Sequence, residues 1–331
     1  MVKQIGRLHS FGLGIEATSG TEATADVYIP LTTGKLVPQV TKVTQENGLG
    51  VIDSVSDSYI TQKMSAFTGE GSMKSQSIGW LLLMAFGTAG SATLVETGVY
   101  SHAFTRKNDN NHPAATFFHL DGTQQEKSVY HMLQNIDFTF EVGEKAMFSL
   151  ATTGRKIQNT SGLTASFPSA DEDFIVNCMT LKIADDVAGL SSATPISAQS
   201  VSLSIQKNLT QIFGTRTGAS CDFEFASQHN QAFAVSGDMT ITMDGKTYQE
   251  VFETGEYKAM EIKLTGATLI GATKYNEMTI TIPKLSFENF DISDSLDEII
   301  TQTIGYIGMY DKSAGTTTSV VLQNTKSSQY A

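Results

Sequence analysis

The sequence predicts an all-β protein with two short helices, and three observations support this prediction. Apolar and polar residues alternate along most of the chain, Ser and Thr supply much of the polarity, and only two segments have a helical pattern. Alternation with a period of two places apolar side chains on one face of a strand, which is typical of antiparallel sheets packed on one side. Ser and Thr also suit pleated surfaces and turns better than helix interiors.

The alternation is clearest in five segments, each with apolar residues at every second position. They are residues 136–142, 200–205, 238–243, 260–264 and 278–282. Gly143-Glu144 follows the first segment and precedes another alternating run, so we expect a hairpin at this turn. Buried parallel strands would be continuously apolar instead.

Two segments are predicted to be helices of about three turns. The first begins at Ser75 or Ser77, whose side chain is expected to cap it, and ends at Gly87. It is apolar nearly all round, so we expect it to be buried. The second is expected to begin with Asp244 as its cap and to end at Gly255.

The chain contains an internal repeat. A shift of about 166 residues superposes Gly71 on Gly237, and a later shift of about 152 superposes Phe138 on Phe290. The change of shift predicts an insertion in the first half, near residues 88–115. Since 331 residues exceed what one hydrophobic core usually serves, we interpret the repeat as a duplicated domain, with units at 1–190 and 191–331.

Charge and hydropathy exclude several classes of protein. The chain has 34 acidic and 22 basic residues, a balance that disfavours tight binding of nucleic acid. The first fourteen residues have no apolar signal core, and the longest apolar run, residues 80–86, is too short to span a bilayer. We therefore expect a soluble protein, made in a reducing cytoplasm, with Cys178 and Cys221 as buried free thiols.

No motif for catalysis, a cofactor or a metal is found in the sequence. Residues 12–17 have the spacing of a dinucleotide-binding loop, but no buried strand precedes them and no helix follows. No two histidines have a zinc-binding spacing, and we expect His119 and His131 at the surface or partly packed beside strands. The densest acidic cluster lacks the order of a calcium loop, so a solvated loop or a channel wall is the prediction for it. Its members are Asp291, Asp294, Asp297 and Glu298.

Four stretches of the sequence resemble the tail tube, or major tail, protein family of siphophages. They are residues 14–31, the segment 69–87 with the first helix, the strand 235–241, and the closing strands 278–284 with the terminus 322–330. The resemblance implies packed antiparallel sheets flanked by a helix, in which one sheet of each domain joins its neighbours into a barrel around a channel. It also implies a virion protein of the tail, made in the host bacterial cytoplasm, with no enzymatic activity and no cofactor.

The resemblance implies partners as well. Six tube domains form a ring in that family, so three chains complete a ring if both halves are tube domains, and six chains do so if only one half is. Rings stack helically into a hollow tube that conducts genomic DNA during ejection without binding it tightly. Tape-measure, tail terminator and baseplate proteins are further implied partners.

Two sets of residues are candidates for these roles. The segment 41–62, between predicted strands, and its repeat-mate 208–231 are long for hairpin loops, and we expect both to reach the adjacent ring. The candidate stacking residues are Glu46, Asn47, Asp53, Asp57, Tyr59, Arg216, Asp222 and Glu224. An acidic lumen would repel DNA, and the candidate lumen residues are Asp137, Glu141, Asp238 and Glu261.

Two other classes remain open. Another ring-forming β protein, such as a type VI-like secretion tube or a capsid decoration protein, fits the same pattern. An all-β hydrolase needs clustered aromatic residues beside a pair of carboxylates, and a chain with one Trp and no such cluster fits this class less well.

Overall fold

The computed structural model describes residues 5–47, 50–122, 124–215, 223–243, 245–293 and 299–331. Within these ranges the chain is predominantly β, as predicted. In chain order the elements are β1 (Ser10–Ile15), β2 (Val27–Ile29), β3 (Thr33–Gln45), β4 (Asp57–Ser72), α1 (Ile78–Phe86), β5 (Gly87–Ala89), β6 (Thr93–Glu96), β7 (Val99–Arg106), β8 (Ala115–Leu120), β9 (Gln125–Glu141), β10 (Met147–Gly154), β11 (Gln158–Thr160), β12 (Met179–Ala184), β13 (Ala198–Phe213), β14 (Phe225–Thr242), α2 (Thr247–Thr254), β15 (Lys258–Leu269), β16 (Tyr275–Ser293), β17 (Thr301–Gly308) and β18 (Ser319–Asn324).

The central feature is an antiparallel layer of eight strands. Its order is β3-β4-β10-β9-β13-β14-β17-β16, and every neighbouring pair is antiparallel. The strands β3, β4, β10 and β9 form one group of four, and β13, β14, β17 and β16 form a second group with the same connections. The two groups therefore have the same strand connectivity, and β9 joins β13 where they meet.

Two smaller sheets lie beside this layer. One has the order β2-β1-β8-β9-β11, and the other has the order β12-β15-β16-β18-β7, with β5 and β6 also paired to β7. In each repeat the long strand, β9 or β16, gives its first part to a smaller sheet and its last part to the layer. The predicted insertion forms β5, β6 and β7, and β7 covers an edge of β18.

Both helices end at the predicted glycine, whereas the start of α1 lacks the predicted side-chain cap. All nine residues of α1 are buried, and Gly87 ends the helix with a φ of 88°. Ser77 stands at the cap position, but its side chain makes no capping bond; the carboxylate of Asp171 accepts from the backbone N–H groups of Gln76 and Ser77 at 2.6 and 3.3 Å instead. Helix α2 ends at Gly255, and its predicted cap Asp244 lies outside the described residues.

The structure corrects three further predictions. His131 is completely buried between the layer and the first smaller sheet, where its two ring nitrogens form hydrogen bonds with the hydroxyls of Ser65 and Thr152. Cys178 is a free thiol but exposed, and Cys221 lies outside the described residues. About half of each of the segments 41–62 and 208–231 is strand rather than loop, because the strands of each hairpin stay paired to Gln45↔Asp57 and Phe213↔Phe225.

Candidate functional site on the polar face of the layer

One face of the eight-stranded layer is apolar and packs in the core, and the other is polar. Residues such as Phe138, Leu203 and Ile304 point to the core and are fully or almost fully buried. On the opposite face, one row of directly paired residues crosses all eight strands. From edge to edge this row is Thr33, Glu70, Ser149, Asp137, Ser204, Ser236, Ile307 and Ser286.

Asp137 lies near the middle of this row. Its carboxylate accepts hydrogen bonds from the Ser204 hydroxyl at 2.5 Å and from the Asn135 amide at 2.8 Å. Asn135 shares its strand, whereas Ser204 belongs to β13. The bond from Ser204 therefore joins the two repeats across the seam between β9 and β13.

The polar face carries mostly negative charge. A second row pairs Glu141 through Ser200, Thr240 and Thr303 to Asp291, and Asp238 lies between the two rows. Lys35 of β3 is directly paired with Thr68 and lies on the same face. Around these two rows of described residues, five carboxylates therefore accompany one ammonium group, that of Lys35. The carboxylates belong to Glu70, Asp137, Glu141, Asp238 and Asp291.

Three of the four predicted lumen residues are brought together on this face: Asp137, Glu141 and Asp238. Glu261 is not, because β15 pairs with β12 and β16 in a smaller sheet and contributes nothing to the layer. The period-2 pattern of β15 is the same as that of the layer strands, so the sequence contained no signal for this separation. Glu70 was not predicted, although it continues the alternation of Ala66 and Thr68. Asp291 was predicted as part of an acidic cluster, in a solvated loop or a channel wall; Asp294, Asp297 and Glu298 of that cluster lie outside the described residues.

The polar face is concave beside Glu70. A depression of about 530 Å³ opens there between β3–β4 and β10–β9, and Thr33, Lys35, Asn135 and Ser149 are among its lining residues. In the described part of the chain no group of three or more His, Cys, Asp or Glu residues is arranged to hold a metal ion.

The predicted stacking residues lie on two hairpin arms that extend beyond the layer. Glu46, Asn47, Asp53, Asp57 and Tyr59 are all exposed on the hairpin of β3 and β4. On the hairpin of β13 and β14, Glu224 is engaged within the chain: it accepts from the Lys156 backbone N–H at 3.1 Å. Arg216 and Asp222 lie outside the described residues.

A sequence profile described as "Phage tail tube protein" matches residues 6–282 of the chain. The match covers the whole layer except its last strand β17 and the end of β16. The chain belongs to the phage tail tube protein family. No curated protein matches the chain significantly.

Membership of this family makes the chain a structural tail tube protein that assembles with itself into a tube in the virion. A structural family points to a non-enzymatic role. Neither α1 nor α2 has the length that a membrane-spanning helix needs, and no other helix in the described ranges has it. Within one chain, the described strands of the layer of this tail tube protein form an open sheet with two unpaired edges.

Proposed function

We propose that three copies of this tail tube protein form a ring whose inner wall is one closed sheet. The observation that carries the proposal is the pair of unpaired edges of the eight-stranded layer. Strand β3 pairs with β4 alone among the described strands, and residues 286–293 of β16 pair with β17 alone. An open edge invites further pairing, and joining the two different edges of successive copies closes the sheet. Three layers of eight strands then make a wall of 24 strands.

The seam inside the chain gives the expected register between copies. Glu70 and Ser236 are related by the 166-residue shift, so their direct partners Thr33 and Ser204 are equivalent. The same row of direct pairs, rather than the later 152-residue shift, makes Asp137 equivalent to Ser286 at the other end of each group. Asp137 pairs directly with Ser204 within the chain, so we expect Ser286 to pair directly with Thr33 of the next copy.

This proposal treats each group of four strands with its smaller sheet as one tube-type unit. The second unit then begins at β12 rather than after residue 190, because β12 is paired with β15. Three chains of two units supply six units to a ring. A ring of six chains, in which one unit decorates the outside, is less compatible with a layer that both units share.

We further propose that the polar face lines the channel through which DNA passes. The apolar face is already covered by the core, so the polar face is the one left for water. Five carboxylates for one ammonium group repel the phosphate backbone, so DNA slides past without being held. We further expect the tip of the first arm, which carries Glu46, Asn47, Asp53 and Asp57, to contact the adjacent ring, with charge complementarity helping to set its register.

A disulfide across the proposed seam tests the ring. The double variant Thr33→Cys/Ser286→Cys, made without the native cysteines (Cys178→Ser/Cys221→Ser), is expected to form covalent trimers on mild oxidation, because directly paired strand residues lie within disulfide range. Each single-cysteine variant and the misregistered pair Lys35→Cys/Ser286→Cys serve as matched controls. Denaturing electrophoresis separates the outcomes: closed three-chain products support the proposal, six-chain products show a hexamer, and dimers in the single variants show non-specific contact. No cross-linking in assembled tubes would rule the seam out.

A further inference from the structure

The two hairpin arms are repeat-mates, but their surroundings differ. The first arm comprises residues 37–64 of β3 and β4, and the second arm comprises residues 207–234 of β13 and β14. The second arm is docked on the first unit of its own chain. Phe225 is almost fully buried there, and its ring lies 5.4 Å from that of Tyr130.

An arginine at the end of β10 holds the second arm in place. The guanidinium of Arg155 donates to the carbonyl oxygens of Phe225 at 3.2 Å and Ala226 at 3.0 Å. It also lies over the rings of Tyr130 and Phe225. Beyond it, the backbone N–H of Lys63 donates to the Phe223 carbonyl at 2.7 Å. The second arm thus crosses the ends of β9 and β10 and reaches β4.

In the described part of the chain, the second arm contacts the first at Lys63, near the base of the first arm, and the outer part of the first arm carries exposed apolar side chains. Its apolar side chains Val40, Val43, Tyr59 and Ile60 have exposed fractions of 45, 54, 55 and 37%. Large apolar side chains grouped on one hairpin are typical of a surface that is covered in an assembly.

A second pair of an arginine and a tyrosine, Arg106 and Tyr310, lies near the end of β17, the strand that corresponds to β10. Tyr310 lies just beyond the end of β17, is 52% exposed, and has the guanidinium of Arg106 over its ring at 5.5 Å. The Nε atom of Arg106 is buried and has no hydrogen-bond partner among the described residues, whereas the equivalent atom of Arg155 bonds the second arm. Beside it, Arg106, Asn230 and Phe233 line a groove of about 250 Å³.

We infer that the first arm of one copy docks in this groove on the neighbouring copy in the same ring, the copy whose Ser286 pairs with its Thr33. The arm's apolar side chains cover Tyr310, and Arg106 donates to a backbone carbonyl of the arm. The inference rests on the proposed ring, because only the repeated seam carries the first arm onto the next copy. The two parts of the arm then have different contacts. The paired strands bind a neighbouring copy in the same ring, and the tip faces the adjacent ring.

Cross-linking between the arm and the groove tests the inference. In the background without native cysteines, Tyr59→Cys/Tyr310→Cys is expected to form interchain products with a short bismaleimide in isolated rings. The control Tyr59→Cys/Leu94→Cys pairs the arm with an equally exposed apolar position on β6, where Leu94 is 61% exposed, and is expected to give none. Arg106→Gln is expected to raise the dissociation constant of the ring roughly tenfold, as the loss of a central interface contact does.

The seam disulfide between positions 33 and 286, measured in the same preparation, distinguishes the two levels of failure. A seam that forms without the arm cross-link overturns the docking inference and leaves the ring intact. A cross-link that forms only in stacked tubes also overturns it, because the arm then contacts another ring. Failure of both cross-links counts against the ring itself.

Discussion

Polar side chains in this protein take different roles according to their burial. Asp137 is partly exposed and accepts hydrogen bonds across a seam of the sheet. His131 has no exposed surface, and burial lowers the pKa of its imidazole to about 3. Gly154 faces this ring so closely that a Cβ atom there would lie 2.2 Å from it. The site is therefore built around a neutral histidine.

Replacing His131 is expected to change the pH dependence of stability. The unfolded chain takes up a proton at this histidine below pH about 6.5, and the folded chain does so only near pH 3. The free energy of unfolding therefore falls as the pH decreases through this window, and stability is fully present only above it. His131→Gln should be about 1–3 kcal/mol less stable at pH 7, from an imperfectly bonded buried group. The difference should shrink toward pH 4 in urea unfolding, with a residual slope from His112. Parallel pH curves for the two proteins would contradict this assignment.

The two hairpin arms are the same kind of supersecondary element in different environments. Both arms contain a register shift, at Thr41/Lys42 in the first and at Lys207/Leu209 in the second, and such bulges increase the local bend and twist of a strand. The second arm returns to its own chain through Phe225, whereas the first keeps its apolar side chains exposed. Its tip adds Val51 and Ile52, with exposed fractions of 61 and 103%.

Polar substitutions at the tip are expected to impair stacking and to leave rings intact. Val51→Ser/Ile52→Ser removes apolar surface that we expect an adjacent ring to cover, and each loss is about 1–2 kcal/mol per side chain at full burial. Leu94→Ser/Val95→Ser is the matched control on β6, where the residues are also exposed. Negative-stain images should show isolated rings or short tubes for the tip variant and long tubes for the control. Long tubes from both variants would show that the tip makes no stacking contact.

In the assembled ring, the carboxylates of the row that contains Asp137 would repeat once per chain rather than once per unit. Glu70 and Asp137 of the first unit have Ser236 and Ser286 as their equivalents in the second. The row that crosses the layer therefore carries its acids in one unit of every two. At the level of this row, a ring of three chains would present these two carboxylates three times around the bore, with serines and Ile307 between them.

Charge reversal on the polar face is expected to slow the passage of DNA. Asp137→Lys places three ammonium groups in each ring, and phosphates that pair with them must be released as the DNA moves. Glu261→Lys makes the same change in charge on a smaller sheet and is the matched control. DNA ejection from virions should be several-fold slower for Asp137→Lys and unchanged for Glu261→Lys, and the delay should diminish as salt is raised. Equal kinetics in both variants would place the channel on another surface.

The sequence by itself determined the features that depend on neighbours along the chain. Alternation predicted the strands and their apolar faces, Gly143, Gly87 and Gly255 marked a turn and two helix ends, and the repeat predicted two similar groups of strands. Only the tertiary structure decided which strands are neighbours, because every strand here has the same period of two and the pattern does not name its partner. For that reason the sequence predicted the same position for Glu261 and Asp137, although Glu261 lies on another sheet. The pattern likewise did not predict Glu70, which lies in the same row as Asp137. The pairing of β9 with β13, two strands far apart in the chain, joins the two groups of four strands into one continuous sheet.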